Sequence, residues 1–87
     1  MQISVDISLY PLTADYLPAI GDFIRRVGRY PGVHIVRNDL STQLFGDHDT
    51  LMELLKVELA HSWAQYGKGI FVIKFLAGDL RGLADDG

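Results

Sequence analysis

The chain has 87 residues, 48% of them hydrophobic and 22% charged, with a formal net charge of −3 and no cysteine. That size suits one domain with a small core and little margin of stability, and the missing thiols exclude disulfide or thiolate–zinc reinforcement. The acidic balance argues against a nucleic-acid partner, because phosphates demand a clustered basic face.

Self-association is the remaining common reinforcement for a domain this small, so a homodimer or homotetramer is expected. No apolar run approaches the roughly 18 residues that suggest a membrane span. The start Met1-Gln2-Ile3-Ser4-Val5-Asp6 lacks the basic residues and apolar middle of a secretory signal, so the expected location is cytoplasmic.

Residues 2–10 alternate apolar Ile3, Val5, Ile7 and Leu9 with polar Gln2, Ser4, Asp6 and Ser8, the period of a half-buried strand that Pro11 ends. A helix follows, with Asp15 as its N-cap, Pro18 in its first turn and Leu17, Ile20, Ile24 and Val27 along one face. Arg25, Arg26 and Arg29 complement its carboxyl end, and Tyr30-Pro31-Gly32 stops it. Val33–Arg37 and Leu40–Gly46 read as two strands joined by a two-residue turn at Asn38-Asp39. A second helix has capping-box spacing at Thr50 and Glu53 and a stripe of Leu51, Leu55, Leu59, Ser62 and Tyr66, broadened by Met52, Leu54, Trp63 and Ala64. Gly67 and Gly69 flank its end, Ile70–Leu76 form an apolar strand, and the Gly/Asp-rich close of the chain reads as a loose tail.

The order β-α-β-β-α-β implies an α+β ferredoxin-like sandwich over residues 1–78, with 79–87 as a C-terminal tail. Its four-stranded, antiparallel-type sheet takes the order 4-1-3-2, with both helices on one face. The other face is then uncovered. It receives Ser4, Asp6, Ser8 and Tyr10 from the first strand, and from the last either Phe71, Ile73 and Phe75 or Ile70, Val72, Lys74 and Leu76. Apolar side chains on an open sheet read as a subunit interface or a ligand wall.

Catalytic patterns are lacking. His34, His48 and His61 fall on different elements without ligand spacing, so no metal is expected, and nothing suggests a cofactor. Gly46-Asp47-His48-Asp49 reads as helix capping rather than acid–base chemistry. Gly67-Lys68-Gly69 leads from helix to strand, the reverse of a phosphate loop. Two places stand out. In Leu40-Ser41-Thr42-Gln43, hydroxyls and an amide open a central strand, either to bind a ligand or to satisfy nearby backbone groups. Alternation puts Thr42 with Leu44 on one face and Ser41 with Gln43 and Phe45 on the other. In Tyr10-Pro11-Leu12, the tyrosine is either a packing residue at the rim or a stacking platform for a flat ligand.

The segments Ile3–Leu12, ending in Ser-Leu-Tyr-Pro-Leu, and Asn38–Gly46, containing Ser-Thr-Gln-Leu-Phe-Gly, resemble the YkoF-related thiamine and hydroxymethylpyrimidine-binding proteins. The likeness covers about residues 2–78. It implies a ferredoxin-like fold, a thiamine-like small-molecule ligand, a role in vitamin salvage or transport, and no catalysis. Some relatives carry two such units; the single unit here implies that a second copy supplies the other. The resemblance carries Tyr10, Ser41 and Thr42 over as ligand contacts, and Asp6 or Asp22 could face a cationic thiazolium. With the first and third strands taken to run parallel, Tyr10 would lie beside Gly46, at the opposite end of the sheet from Thr42. One ligand could then meet both only across two subunits. The alternatives are an oligomeric regulatory or scaffold domain binding another metabolite or a protein, and a small ferredoxin-like isomerase or monooxygenase. The last needs a poised acid, base or cofactor ligand that the sequence does not show.

Overall fold

The computed structural model of the chain describes residues 1–14 and 16–82, so the expected N-cap Asp15 and the tail residues 83–87 lie outside the described residues. The elements are β1 (Gln2–Pro11), α1 (Tyr16–Val27), β2 (His34–Arg37), β3 (Thr42–Asp47), α2 (His48–Tyr66) and β4 (Gly69–Ala77). They form a four-stranded sheet in the order β2-β3-β1-β4, which is the expected 4-1-3-2 order read from its other edge.

One face of the sheet is dry. Ile3, Val5 and Ile7 of β1 and Leu44 of β3 meet Phe23 and Val27 of α1 and Leu51, Leu54 and Leu55 of α2 in a single buried cluster, so both helices cover the same face. Fully burying one such side chain stabilises the fold by about 1.5–3 kcal/mol. Between the helices, the Glu58 carboxylate accepts from Arg26 Nε and from the Tyr30 hydroxyl, both at 2.6 Å. Gly46 belongs to the packing for a steric reason: a Cβ there would sit 3.1 Å from the Gly32 carbonyl oxygen.

The structure corrects several local expectations. β1 and β3 run antiparallel, with Ile3 opposite Gly46 and Ile7 opposite Thr42. A right-handed crossover from β1 to β2 followed by a tight β2–β3 return requires that direction. The turn at Asn38-Asp39 is not a two-residue hairpin. Arg37 pairs with Thr42 across a loop of residues 38–41, closed by Asn38 N–H donating to Ser41 O at 2.9 Å. A tight type I′ turn needs positive φ at both central residues, and no described residue other than glycine has it.

In α1 the buried stripe is Ala19, Phe23 and Val27, while Leu17 is exposed. At 100° per residue Leu17 lies about 120° around the helix from Phe23, so the aromatic ring, not the first leucine, sets the inward face. α2 begins before the expected Thr50/Glu53 box. Its N-cap is Asp47, whose Oδ2 accepts from the backbone N–H of Asp49 at 3.1 Å and of Thr50 at 3.4 Å. Capping is therefore the role of the Gly46–Asp49 segment, as its charge pattern indicates. The N-terminal ammonium lies 3.3 Å from Asp47 Oδ1, and these contacts together hold the Asp47 carboxyl below its ordinary range. Asp47→Ala is expected to lower the melting temperature by a few degrees, whereas Asp47→Ser retains most of it, as thermal unfolding followed by circular dichroism will show.

Candidate functional site

The face away from the helices carries Ser4, Asp6, Ser8 and Tyr10 of β1. In register across from them lie Phe45 and Gln43 of β3, and Leu76, Lys74, Val72 and Ile70 of β4. His34 and Val36 of β2 continue the rows beside Phe45 and Gln43. The even-numbered parity of β4 thus faces out, and Phe71 and Ile73 join the core margin.

Two adjoining cavities lie around this surface. The larger, about 670 Å³, rests on the open face among Ser4, Asp6, His34, Gln43, Phe45 and Arg81. Its rim is built by the chain after β4. The Ser4 hydroxyl donates to Gly78 O at 2.8 Å and accepts from Leu80 N–H at 2.9 Å, which lays residues 78–82 beside the sheet. Asp79 then holds Arg81 through two close contacts, Arg81 Nε to Asp79 Oδ1 at 3.0 Å and Arg81 Nη2 to Asp79 Oδ2 at 2.6 Å. This pair raises the arginine's pKa and lowers that of the aspartate.

The second cavity, about 530 Å³, is a notch between β1, the 38–41 loop and α1. It exists because β1 outruns β3: Ser8 to Pro11 pair with β4, whereas the β1–β3 ladder ends at Ile7 and Thr42. Ile20, Phe23 and Ile24 of α1 supply an apolar floor, and Tyr10 and Ser41 stand at the wall. The Ser8 hydroxyl reaches Leu40 O at 3.3 Å and ties the loop to the strand. Volumes of this order suit small organic molecules.

Asp6 and Asn38 line both cavities. Asp6 Oδ1 is the one buried side-chain oxygen or nitrogen among the described residues without a hydrogen-bond partner. Lys74 stands across from Asp6 in the ladder, but no ion pair joins them among the described residues. An orphaned buried acceptor is costly and calls for an explanation, a missing donor being the simplest.

The antiparallel direction therefore brings Tyr10, Ser41, Thr42 and Asp6 around one notch of a single chain, where the parallel expectation had put Tyr10 and Thr42 at opposite ends of the sheet. Within that group the hydroxyl pair diverges. Thr42 is buried on the helix side opposite Ile7, while Ser41 precedes the strand and lines the notch. Tyr10 is half exposed beside Ile70, a placement open to stacking. Asp22 stands apart. It lines neither cavity, accepts from Arg25 Nη2 at 2.7 Å and lies 3.9 Å from His61 Nε2. The helix surface already neutralises it. Sequence reasoning placed Ser4 on the uncovered face without a role and passed over His34, Asn38 and Arg81 as site residues. Strand parity could have found His34; Arg81 reaches the site only because the chain folds back after Gly78. No group of three or more His, Cys, Asp or Glu able to hold a metal is present among the described residues, and no described helix is long and apolar enough to cross a membrane.

Fold and cavities together define a small ferredoxin-like domain with an open, partly polar sheet face. No sequence family matches the chain, and no curated protein does. Solved structures do. A Streptococcus pneumoniae protein superposes with a TM-score of 0.84 at 23% identity, covering 99% of this chain and 97% of the other. A Thermotoga maritima protein, described provisionally as a thiamine biosynthesis/salvage protein, gives a TM-score of 0.80 at 15% identity over 90% of this chain and 85% of its own. The domain of unknown function DUF77 from Bacillus cereus gives 0.75 at 22% identity over 91% and 78%. At these identities the likeness establishes the fold.

Proposed function

We propose that the chain is a non-catalytic binding protein for thiamine or its hydroxymethylpyrimidine precursor, acting in vitamin salvage or transport within the cytoplasm. The observation that supports this most is the unpartnered Asp6 Oδ1 at the junction of the two cavities. An aminopyrimidine presents N–H donors to such an oxygen. Tyr10 offers its ring face to a flat heterocycle, Ser41 a hydroxyl to a ring nitrogen, and Gln43 an amide beside Asp6. The vitamin-related description of the Thermotoga maritima structure points the same way. Thr42 supports the notch from beneath, and the reading assigns no ligand contact to Asp22. The reading assigns no catalytic step to Asp6 and His34, which line the larger cavity, and a second copy of the chain completes the assembly.

Isothermal titration with thiamine and, separately, with hydroxymethylpyrimidine tests the reading. Saturable binding at micromolar concentration is expected with at least one. Ser41→Ala is expected to weaken it by roughly threefold to tenfold, the worth of one hydrogen bond. Silence with both ligands from a folded protein refutes the proposal, and undiminished affinity in the variant removes Ser41 from the site.

A further inference from the structure

The two edges of the sheet are unlike. β2 is four residues long and ends in His34 and Arg37, a short edge bearing polar groups. β4 is nine residues long, Gly-Ile-Phe-Val-Ile-Lys-Phe-Leu-Ala, and pairs with β1 without interruption from Gly69 to Ala77. Its outer side thus presents a row of backbone donors and acceptors flanked by apolar side chains. Ile70, Val72, Phe75 and Leu76 are each about half exposed. Natural sheets blunt such edges with proline, bulges, several charges or a covering segment. β4 has no proline, an unbroken ladder and one charge, Lys74. Among the described residues the chain meets this edge only at its Gly69 end, where Trp63 Nε1 donates to Gly69 O at 2.9 Å; after Ala77, Gly78 N–H donates to Gln2 O and residues 78–80 turn towards Ser4.

We infer that the β4 edge pairs with β4 of a second copy, antiparallel about a two-fold axis at Ile73, to make one eight-stranded sheet. This rests on the reading that the chain assembles with itself and specifies the surface. Ile73 is the midpoint of the strand, so this register pairs residues 70–76 of each copy symmetrically, short of the Gly69 carbonyl held by Trp63, and keeps both helix layers on the same side. The strand is self-complementary in it, as a two-fold contact demands. On the helix side, Phe71 of each copy meets Phe75 of the other, and the two Ile73 side chains meet at the axis. Phe75 is half exposed although it lies on the helix side opposite Val5; the seam gives it an aromatic neighbour. Phe71 is already flanked by Phe23 and Trp63, with ring centroids at 5.1 and 5.6 Å, so the aromatic cluster extends across the seam. On the open side, Ile70 meets Leu76 and Val72 meets Lys74. The two ammonium groups are thereby offset rather than opposed, and like charges directly opposite would weaken the pairing.

The register makes the test specific. Light scattering of the purified chain is expected to give twice its 9.7 kDa mass. Val72→Lys puts like charges opposite each other at two places in the seam and is expected to raise the dimer dissociation constant more than tenfold. Val72→Glu, equally charged and equally polar, faces Lys74 of the other copy and is expected to retain the dimer. Because the chain lacks cysteine, Ile73→Cys is expected to form a disulfide-linked dimer on mild oxidation, since residues opposite each other at the axis have Cα atoms about 4.5–5.5 Å apart. Ile70→Cys, six residues from its own copy in the other chain, is expected not to. A monomer at tens of micromolar overturns both the seam and the self-assembly reading. A dimer that ignores Val72→Lys or leaves Ile73→Cys unlinked overturns the seam alone and places the contact on another surface.

Discussion

Truncation of Glu58 to alanine is expected to lower the melting temperature by roughly 10–20 °C, a loss of about 2–3 kcal/mol for a domain of this size. The carboxylate is 4% exposed on the inner face of α2, where only partners make a charge tolerable. Burial by itself would push its pKa up. The Tyr30 hydroxyl and the Arg26 guanidinium outweigh that and hold it below the ordinary value of 4.5. Removal leaves Arg26 and Tyr30 turned towards an empty, half-dry pocket, and the helix pair loses its polar clasp.

The same geometry fixes the pH dependence. A carboxyl held low in the folded state contributes stability that is present above its unfolded pKa and lost as pH falls through the folded value. The Tyr30 pKa is raised from 10.0, first by its hydrogen bond to Glu58 and then by burial. Its contribution is therefore full below pH 10 and lost as pH rises through the folded value. The wild-type chain should lose stability on both sides, below about pH 4.5 and above about pH 10. Glu58→Gln should flatten the acid side and diminish the alkaline one. Urea titrations across pH give the answer, and an unchanged acid limb in Glu58→Gln would locate the acid sensitivity elsewhere.

Asp6→Leu is expected to weaken ligand binding by tenfold to about a hundredfold while leaving the fold as stable as before, or more stable by up to about 1 kcal/mol. A buried oxygen without a hydrogen-bond partner costs the folded chain free energy. Replacing it with an apolar group of similar size removes that cost and takes a poor strand former out of the row between Gln43 and Lys74. A residue retained against stability points to function. Paired measurements decide the matter: titration calorimetry for affinity and denaturant midpoint for stability. A variant with wild-type affinity, or one that unfolds more readily, would show that Asp6 serves the fold and not the ligand.

How these residues come together was only partly readable beforehand. The two-residue period of β1 announced both a core row and an open row, because side-chain direction along a strand follows from the backbone alone. The element order fixed the sheet order, since right-handed crossovers leave few alternatives. The same local logic recognised Gly46–Asp49 as a capping segment, although it set the cap at Thr50 and not at Asp47, and it placed Thr42 on the face of Leu44. Glu58 escaped notice because a carboxylate on a leucine-rich helix reads as solvent-facing. Its burial depends on Arg26 and Tyr30, 32 and 28 residues away. The notch escaped too: it is made by the unequal lengths of β1 and β3, and strand ends are set by pairing partners rather than by local preference.

The sequence by itself therefore determined the elements, their order, the dry face and the chemical character of the open one, all consequences of periodicity and chain connectivity. The antiparallel direction of β1 and β3 follows from that connectivity too, although the expectation took it as parallel; tertiary structure alone decided that Tyr10, Ser41 and Asp6 converge at one cleft and that Asp22 is claimed by Arg25. The reason is physical. The ends of a ladder, unmet hydrogen-bond acceptors and competition for a charge are properties of neighbours in space, and those neighbours are fixed only when the whole sheet closes.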